Sequence, residues 1–197
     1  MFLKPESQLI LASTSTYRRS LMERLRLEFR VLAPQVDERP RRSEKPSALV
    51  QRLARAKAAA VARIEPDCWV IGSDQLAACG RQVLGKPLTR DRCIEQLRKC
   101  SGRQVRFLTA VTLVRAASGQ RFDAVDTTRV KFRRLDLPCI ERYVDREQPL
   151  DCAGGFKSEG LGISLFECID SSDPTALIGL PLIALSRLLR RAGFAVP

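Results

Sequence analysis

The sequence predicts an α/β protein, and three patterns carry that prediction. Two short apolar runs, residues 9–12 and 68–72, stop abruptly at polar side chains, as buried strands do. Helical spacing of apolar residues follows the first run at Leu21, Met22 and Leu25. Two longer segments alternate in polarity: Val105, Phe107, Thr109, Val111 and Leu113 on one, Phe122, Ala124, Asp126, Thr128, Val130 and Phe132 on the other. Joined through Ser118 and Gly119, they read as an antiparallel hairpin.

The elements follow in order. After the first strand, Ser13-Thr14-Ser15-Thr16-Tyr17-Arg18-Arg19 opens a helix. Free N–H groups there, the Ser13 and Ser15 hydroxyls and the planar fork of Arg18 suit an anion. A serine N-cap followed by solvated arginines fits this segment equally well. Residues 29–33 read as a second strand that delivers Val36-Asp37-Glu38 to a loop, and residues 40–46 as an exposed connection. From Ser47, the residues Leu49, Val50, Leu53, Ala54 and Val61 mark an amphipathic helix. Lys57 lies on or beside its buried face, where it either meets an anion or snorkels to solvent.

The strand at 68–72 ends at Ser73-Asp74, the second place where a strand terminates in polar chemistry, and ligands of open α/β sheets bind at such ends. Taken alone, Asp74 reads first as a carboxylate capping the next turn. Thr89 starts a helix that turns Cys93, Ile94, Leu97 and Cys100 inward and closes at Gly102. The hairpin, a helix over 138–146 and a glycine-rich loop over 151–160 come next. The last helix has Pro181 in its first turn, buries Leu182, Ile183, Leu185, Leu188 and Leu189, carries Arg187, Arg190 and Arg191 near its C-terminus, and stops at Gly193.

Composition narrows the function. A chain of 197 residues, 45% hydrophobic, with nothing resembling a linker, fits one domain over residues 1–197. No apolar run approaches membrane-spanning length, and residues 1–6 lack the order of a signal peptide, so the expected location is the cytoplasm. The seven cysteines are scattered without a CxxC pair, which disfavours zinc or disulfides; Cys68, Cys93, Cys100 and Cys168 read as small, reduced core residues. The absence of histidine excludes Ser-His-Asp and Cys-His mechanisms and leaves base and metal work to carboxylates, which suit a hard, magnesium-like ion. A net charge of +12 raises the question of nucleic acid, but the arginines are dispersed, aromatics are 6%, and no recognised binding motif appears. The charge is read instead as a field that steers anionic ligands, with no specific nucleic-acid complex expected.

Several motifs agree on a family. The opening cassette, Val36-Asp37-Glu38, Lys57 within its alanine-rich helix, Ile71-Gly72-Ser73-Asp74-Gln75 and Gly85-Lys86-Pro87-Leu88-Thr89 together resemble the Maf family of nucleotide pyrophosphatases, from about Leu9 to Leu189. The resemblance implies a Maf/ITPase-like elongated α/β fold with a central mixed β-sheet flanked by helices. It also implies a divalent metal, magnesium or manganese, a homodimer, and hydrolysis of a nucleoside triphosphate to monophosphate and pyrophosphate.

Carried over residue by residue, Ser13, Arg18, Lys57 and Lys86 hold phosphate, Glu38 and Asp74 are metal-associated, and Asp74 is the proton acceptor. Thr16 stands where the family commonly has proline, a position in a helix's first turn that threonine can occupy. In the dTTP- and UTP-directed branch, arginine, threonine and glutamine stand where this chain has Tyr17, Gln75 and Glu159. Those three residues resemble instead the YceF-type branch, which prefers 7-methyl-GTP. An N7-methylated guanine is a cation with a flat face and donors on one edge, so an aromatic ring and a carboxylate suit it. The alternatives are a dTTP/UTP pyrophosphatase and, outside enzymology, a regulator of septum formation. A pure binding protein has no need of the Glu38, Asp74, Lys57 and Lys86 set.

Overall fold

A computed structural model describes residues 9–80 and 82–197; residues 1–8, which include the stretch read above for a leader, and Arg81 lie outside the described residues. The strands are β1 (Leu9–Ala12), β2 (Arg30–Leu32), β3 (Trp69–Cys79), β4 (Gln82–Leu84), β5 (Gln104–Arg115), β6 (Gln120–Phe132) and β7 (Phe166–Asp170). The helices are α1 (Thr16–Glu23), α2 (Pro46–Ala62), α3 (Arg90–Cys100), α4 (Leu137–Glu147) and α5 (Leu182–Arg191), with 3-10 turns at Leu161–Leu165 and Ala176–Ile178. One mixed sheet runs in the order β2-β1-β3-β5-β6-β7, with β4 folded back on β3. β1 is parallel to β2 and β3, and the remaining pairs are antiparallel.

The continuous apolar run of β1 follows from being covered on both faces. Leu9 and Leu11 pack with Leu21, Met22 and the α5 leucines, while Ile10 and Ala12 pack with Ala58 and Val61 of α2. Helix α2 lies so close to β3 that a Cβ at Gly72 would sit 2.2 Å from the Ala54 carbonyl oxygen. The other end of the sheet is closed by Phe107, Phe132, Phe156 and Phe166, whose rings meet edge to face with centroids 4.9–5.4 Å apart.

Four sequence expectations change. The strand at 68–72 does not end at Ser73-Asp74: β3 continues to Cys79, because ten of its residues pair with β5 and hold the polar pair inside the sheet. Ile183 is 50% exposed, since the core-facing stripe of α5 runs through Leu182, Ala184, Leu185, Leu188 and Leu189 and leaves it outside. Cys168 is exposed on β7, which among the described residues pairs only with β6, and Cys68 is half-buried; Cys93 and Cys100 are core residues. The strands β4 and β7 and both 3-10 turns were not anticipated.

Candidate active site

The nine residues singled out from the sequence all line one cleft of about 690 Å³. One part of its lining is built where β1 stops. Ser15 is the N-cap of α1, its Oγ accepting from the Arg18 N–H at 3.3 Å, and the Ser13 Oγ accepts from the Ser15 N–H at 3.1 Å. Both hydroxyl protons stay available to a ligand. Arg18 is not a solvated arginine: its Nε donates to the Gly179 carbonyl at 2.8 Å, which aims the guanidinium and leaves its outer N–H groups for an oxyanion. Burial lowers its pKa, and the charges of Asp74 and Glu38 oppose that shift. Arg19 instead faces solvent and pairs with Glu23.

Lys57 resolves the snorkelling alternative. It is 7% exposed, and its Nζ lies 2.7 Å from Asp74 Oδ1 and 2.8 Å from Glu38 Oε1. Period-2 alternation along β3 turns Asp74 toward α2, while its neighbours Ser73 and Gln75 point to the opposite face. Asp74 therefore caps no turn. Burial raises the pKa of its carboxyl group, and the Lys57 charge pulls it back. The result is a buried carboxylate of raised basicity beside a fixed cation, an arrangement able to take a proton from water. Lys86 is exposed on the cleft rim.

Another part of the lining is formed by Tyr17 and the loop over 151–160. Phe156 of that loop is buried among the other three rings, the Lys157 N–H donates to the Tyr143 hydroxyl at 3.0 Å, and the Gly154 N–H reaches the Gly85 carbonyl at 3.3 Å. These anchors set Asp151, Cys152 and Glu159 along the cleft with Tyr17. Burial, Cys152, Asp151 and Glu159 push the Tyr17 phenol up to about 12, so it stays protonated at neutral pH. This part of the lining thus brings the Asp151 and Glu159 carboxylates beside the aromatic ring of Tyr17.

Gln75 lines the cleft, but its amide nitrogen is occupied. It donates to the carbonyls of Ala176 at 2.8 Å and Leu177 at 3.0 Å, and approaches Thr109 Oγ1 at 3.2 Å. Sequence reasoning did not assign Ser73, Thr109 or Asp151 to the site. A signal for Thr109 was present: it is a polar residue on the otherwise apolar face of β5, and in the sheet it sits opposite the buried Asp126.

Comparison with known proteins adds an independent line. A family model described as Maf-like protein matches residues 8–192. A 7-methyl-GTP pyrophosphatase of Xanthomonas axonopodis pv. citri is 58% identical over 96% of this chain and 99% of that protein. A protein of the same name from Pseudomonas putida is 53% identical over 96% and 98%. Among solved structures, a HAM1 protein from Coxiella burnetii aligns over 94% of this chain and 98% of its own at a TM-score of 0.52 and 14% identity, a likeness of fold alone. With the motifs assembled in one cleft and nearly the whole length matched, this chain belongs to the Maf family.

Proposed function

We propose that this protein hydrolyses 7-methyl-GTP to 7-methyl-GMP and pyrophosphate. The observation that carries the reading is one cleft lined both by an oriented arginine with a Lys57–Asp74 pair and by Tyr17 with Glu159. Relatives more than half identical over nearly the full length bear that activity as their name.

In this mechanism, Arg18, Ser13, Lys57 and Lys86 hold the triphosphate. Asp74 orients a water and accepts its proton as the oxygen attacks the α-phosphorus. The bond from the α-phosphorus to the bridging oxygen breaks, and its electron pair leaves with pyrophosphate. Tyr17 stacks on the cationic base, and Glu159 accepts from the guanine edge.

A divalent ion fits the donor set as a companion of the substrate. Glu38 and Asp74 converge within 2.8 Å of one ammonium, yet no group of three His, Cys, Asp or Glu among the described residues could hold an ion alone. Magnesium or manganese would therefore be held by these two carboxylates together with phosphate oxygens and water. When bound, it would neutralise charge on the triphosphate.

We extend the reading to a homodimer acting in the cytoplasm, on the family resemblance. No helix among the described residues is long and apolar enough to cross a membrane. Sedimentation of the purified chain tests the dimer, and a monomer at tens of micromolar would overturn it. The function itself is tested by pyrophosphate release from 7-methyl-GTP, GTP, dTTP and UTP, each with and without magnesium. The highest kcat/KM is expected for 7-methyl-GTP; a preference for dTTP or UTP, or no turnover of any, would overturn the assignment.

A further inference from the structure

The turn over residues 176–179 receives more side-chain hydrogen bonds than its size requires, and they form a pattern. Its two end carbonyls each accept from one cleft-lining side chain and one fully buried strand hydroxyl. Gly179 O accepts from Arg18 Nε at 2.8 Å and from Ser73 Oγ at 3.0 Å. Ala176 O accepts from Gln75 Nε2 at 2.8 Å and from Thr109 Oγ1 at 2.9 Å. Ser73 and Thr109 are each 0% exposed, so neither can touch a ligand. Gly179 has φ +123°, a conformation that side chains other than glycine's rarely adopt, and a Cβ there would lie 3.5 Å from Arg18 Nε.

We propose that Ser73 and Thr109 are positioning residues that act through this turn, Ser73 on Arg18, which holds phosphate, and Thr109 on Gln75, which belongs with the base-specificity residues. This rests on the function proposed above. Gly179 O takes both of its side-chain donors, and Ala176 O takes its two as well as the Gly179 N–H at 3.0 Å that closes the turn, so the turn is held from the sheet while it holds the cleft residue. For Gln75 the consequence is specific. Its amide nitrogen is saturated by Thr109, Ala176 and Leu177, so it shapes the cleft chiefly by fixing the turn, whose Leu177 and Ile178 line the wall. Ser73 also approaches Ala110 O at 2.8 Å and shares its single proton between two acceptors.

The test compares Ser73→Ala, Thr109→Val and Thr109→Ser. Three quantities are read: inhibition by inorganic tripolyphosphate, which has no base; the kcat/KM ratio of 7-methyl-GTP to GTP; and amide hydrogen exchange over 176–180. Ser73→Ala should raise the tripolyphosphate inhibition constant about three- to tenfold, the size of one lost hydrogen bond, and leave the nucleotide ratio within about twofold. Thr109→Val should lower the nucleotide ratio by a similar factor and leave tripolyphosphate inhibition within about twofold. Both should speed exchange at the turn, and Thr109→Ser, which keeps the hydroxyl, should restore wild-type behaviour. Should Thr109→Val not fold, Thr109→Ala gives the same reading without added bulk.

Folded variants with wild-type exchange and wild-type constants would overturn the proposal. So would Thr109→Ser showing the same losses as Thr109→Val, because the hydroxyl, which serine keeps, would then not be what holds the turn. If the wild type shows no preference for 7-methyl-GTP, the functional reading fails by itself, and the exchange and tripolyphosphate measurements still decide the role of the turn.

Discussion

Asp74 lies 2.7 Å from Lys57 in a site where burial raises its pKa and the lysine charge restrains the rise. The sign of the pH dependence follows. A carboxylate with a raised pKa takes up its proton above the ordinary range, so the ionised base is lost as pH falls through that value. The acidic limb of kcat/KM should therefore lie above the usual aspartate range. Lys57→Met removes the restraining charge and should move that limb to still higher pH, as a pH–rate profile will show. Asp74→Asn keeps the shape and loses proton acceptance, and kcat should fall by about 100-fold or more with the fold intact by circular dichroism. For the proposed base recognition, Glu159→Gln should lower the ratio of kcat/KM for 7-methyl-GTP over GTP, because the charge proposed to meet a cationic ring is lost. Tyr17→Ala should act in the same direction by about 0.5–2 kcal/mol of cation–π attraction. Equal losses on both nucleotides would remove these two residues from base recognition.

Helices α2 and α5 are positioned by opposite means, one by closeness and one by a distant cap. Any side chain at Gly72 drives into the α2 backbone, with the Ala58 nitrogen only 2.6 Å from the added Cβ. Gly72→Ala should cost about 3 kcal/mol or more in urea unfolding and should also lower activity, because α2 carries Lys57. Helix α5 begins at a proline N-cap with no side-chain cap bond. Its first turn is capped instead by the buried Asp173, whose Oδ2 accepts from the Ile183 N–H at 2.6 Å and the Ala184 N–H at 3.4 Å. The other oxygen, Oδ1, holds Thr175 at 2.6 Å through its hydroxyl, so one carboxylate ties the helix to the segment that enters the 176–179 turn. Asp173→Ala should cost about 2 kcal/mol, read as a Tm lowered by roughly 4–8 °C.

Over the whole molecule, +12 of formal charge surrounds a cleft whose ligand is taken to be anionic. Many arginines are already paired, as Arg30 is with Glu65, Arg52 with Glu44 and Arg90 with Asp145, so the net field and not any single patch does the steering. The value of kcat/KM should fall as ionic strength rises from about 20 to 200 mM, with kcat changing little; a flat profile would count against steering. Polynucleotide binding, if measured by filter retention, should be weak and lost across the same range without sequence preference.

Much of this protein is set by local chemistry that a sequence displays. The N-caps Ser15, Thr89 and Asp136, the proline near the start of α4 and the alternation of β5 and β6 each act within a few residues, so those elements were legible. The site side chains were legible as types in an order: hydroxyls and Arg18 after β1, Lys57 on an inward helix face, Asp74 and Gln75 beyond Gly72. Only the tertiary structure decided what they do to one another. Whether Lys57 met an anion or snorkelled depended on Asp74, 17 positions away, and the aim of Arg18 depended on a carbonyl 161 positions away. The passage of β3 through Ser73-Asp74 and the existence of β4 and β7 rest on strand partners that no local pattern encodes. Exposure of Ile183 and Cys168 was settled by which faces found a neighbour. Caps and periodicity are short-range forces, whereas pairing, packing and the orientation of a guanidinium are completed only when distant segments meet.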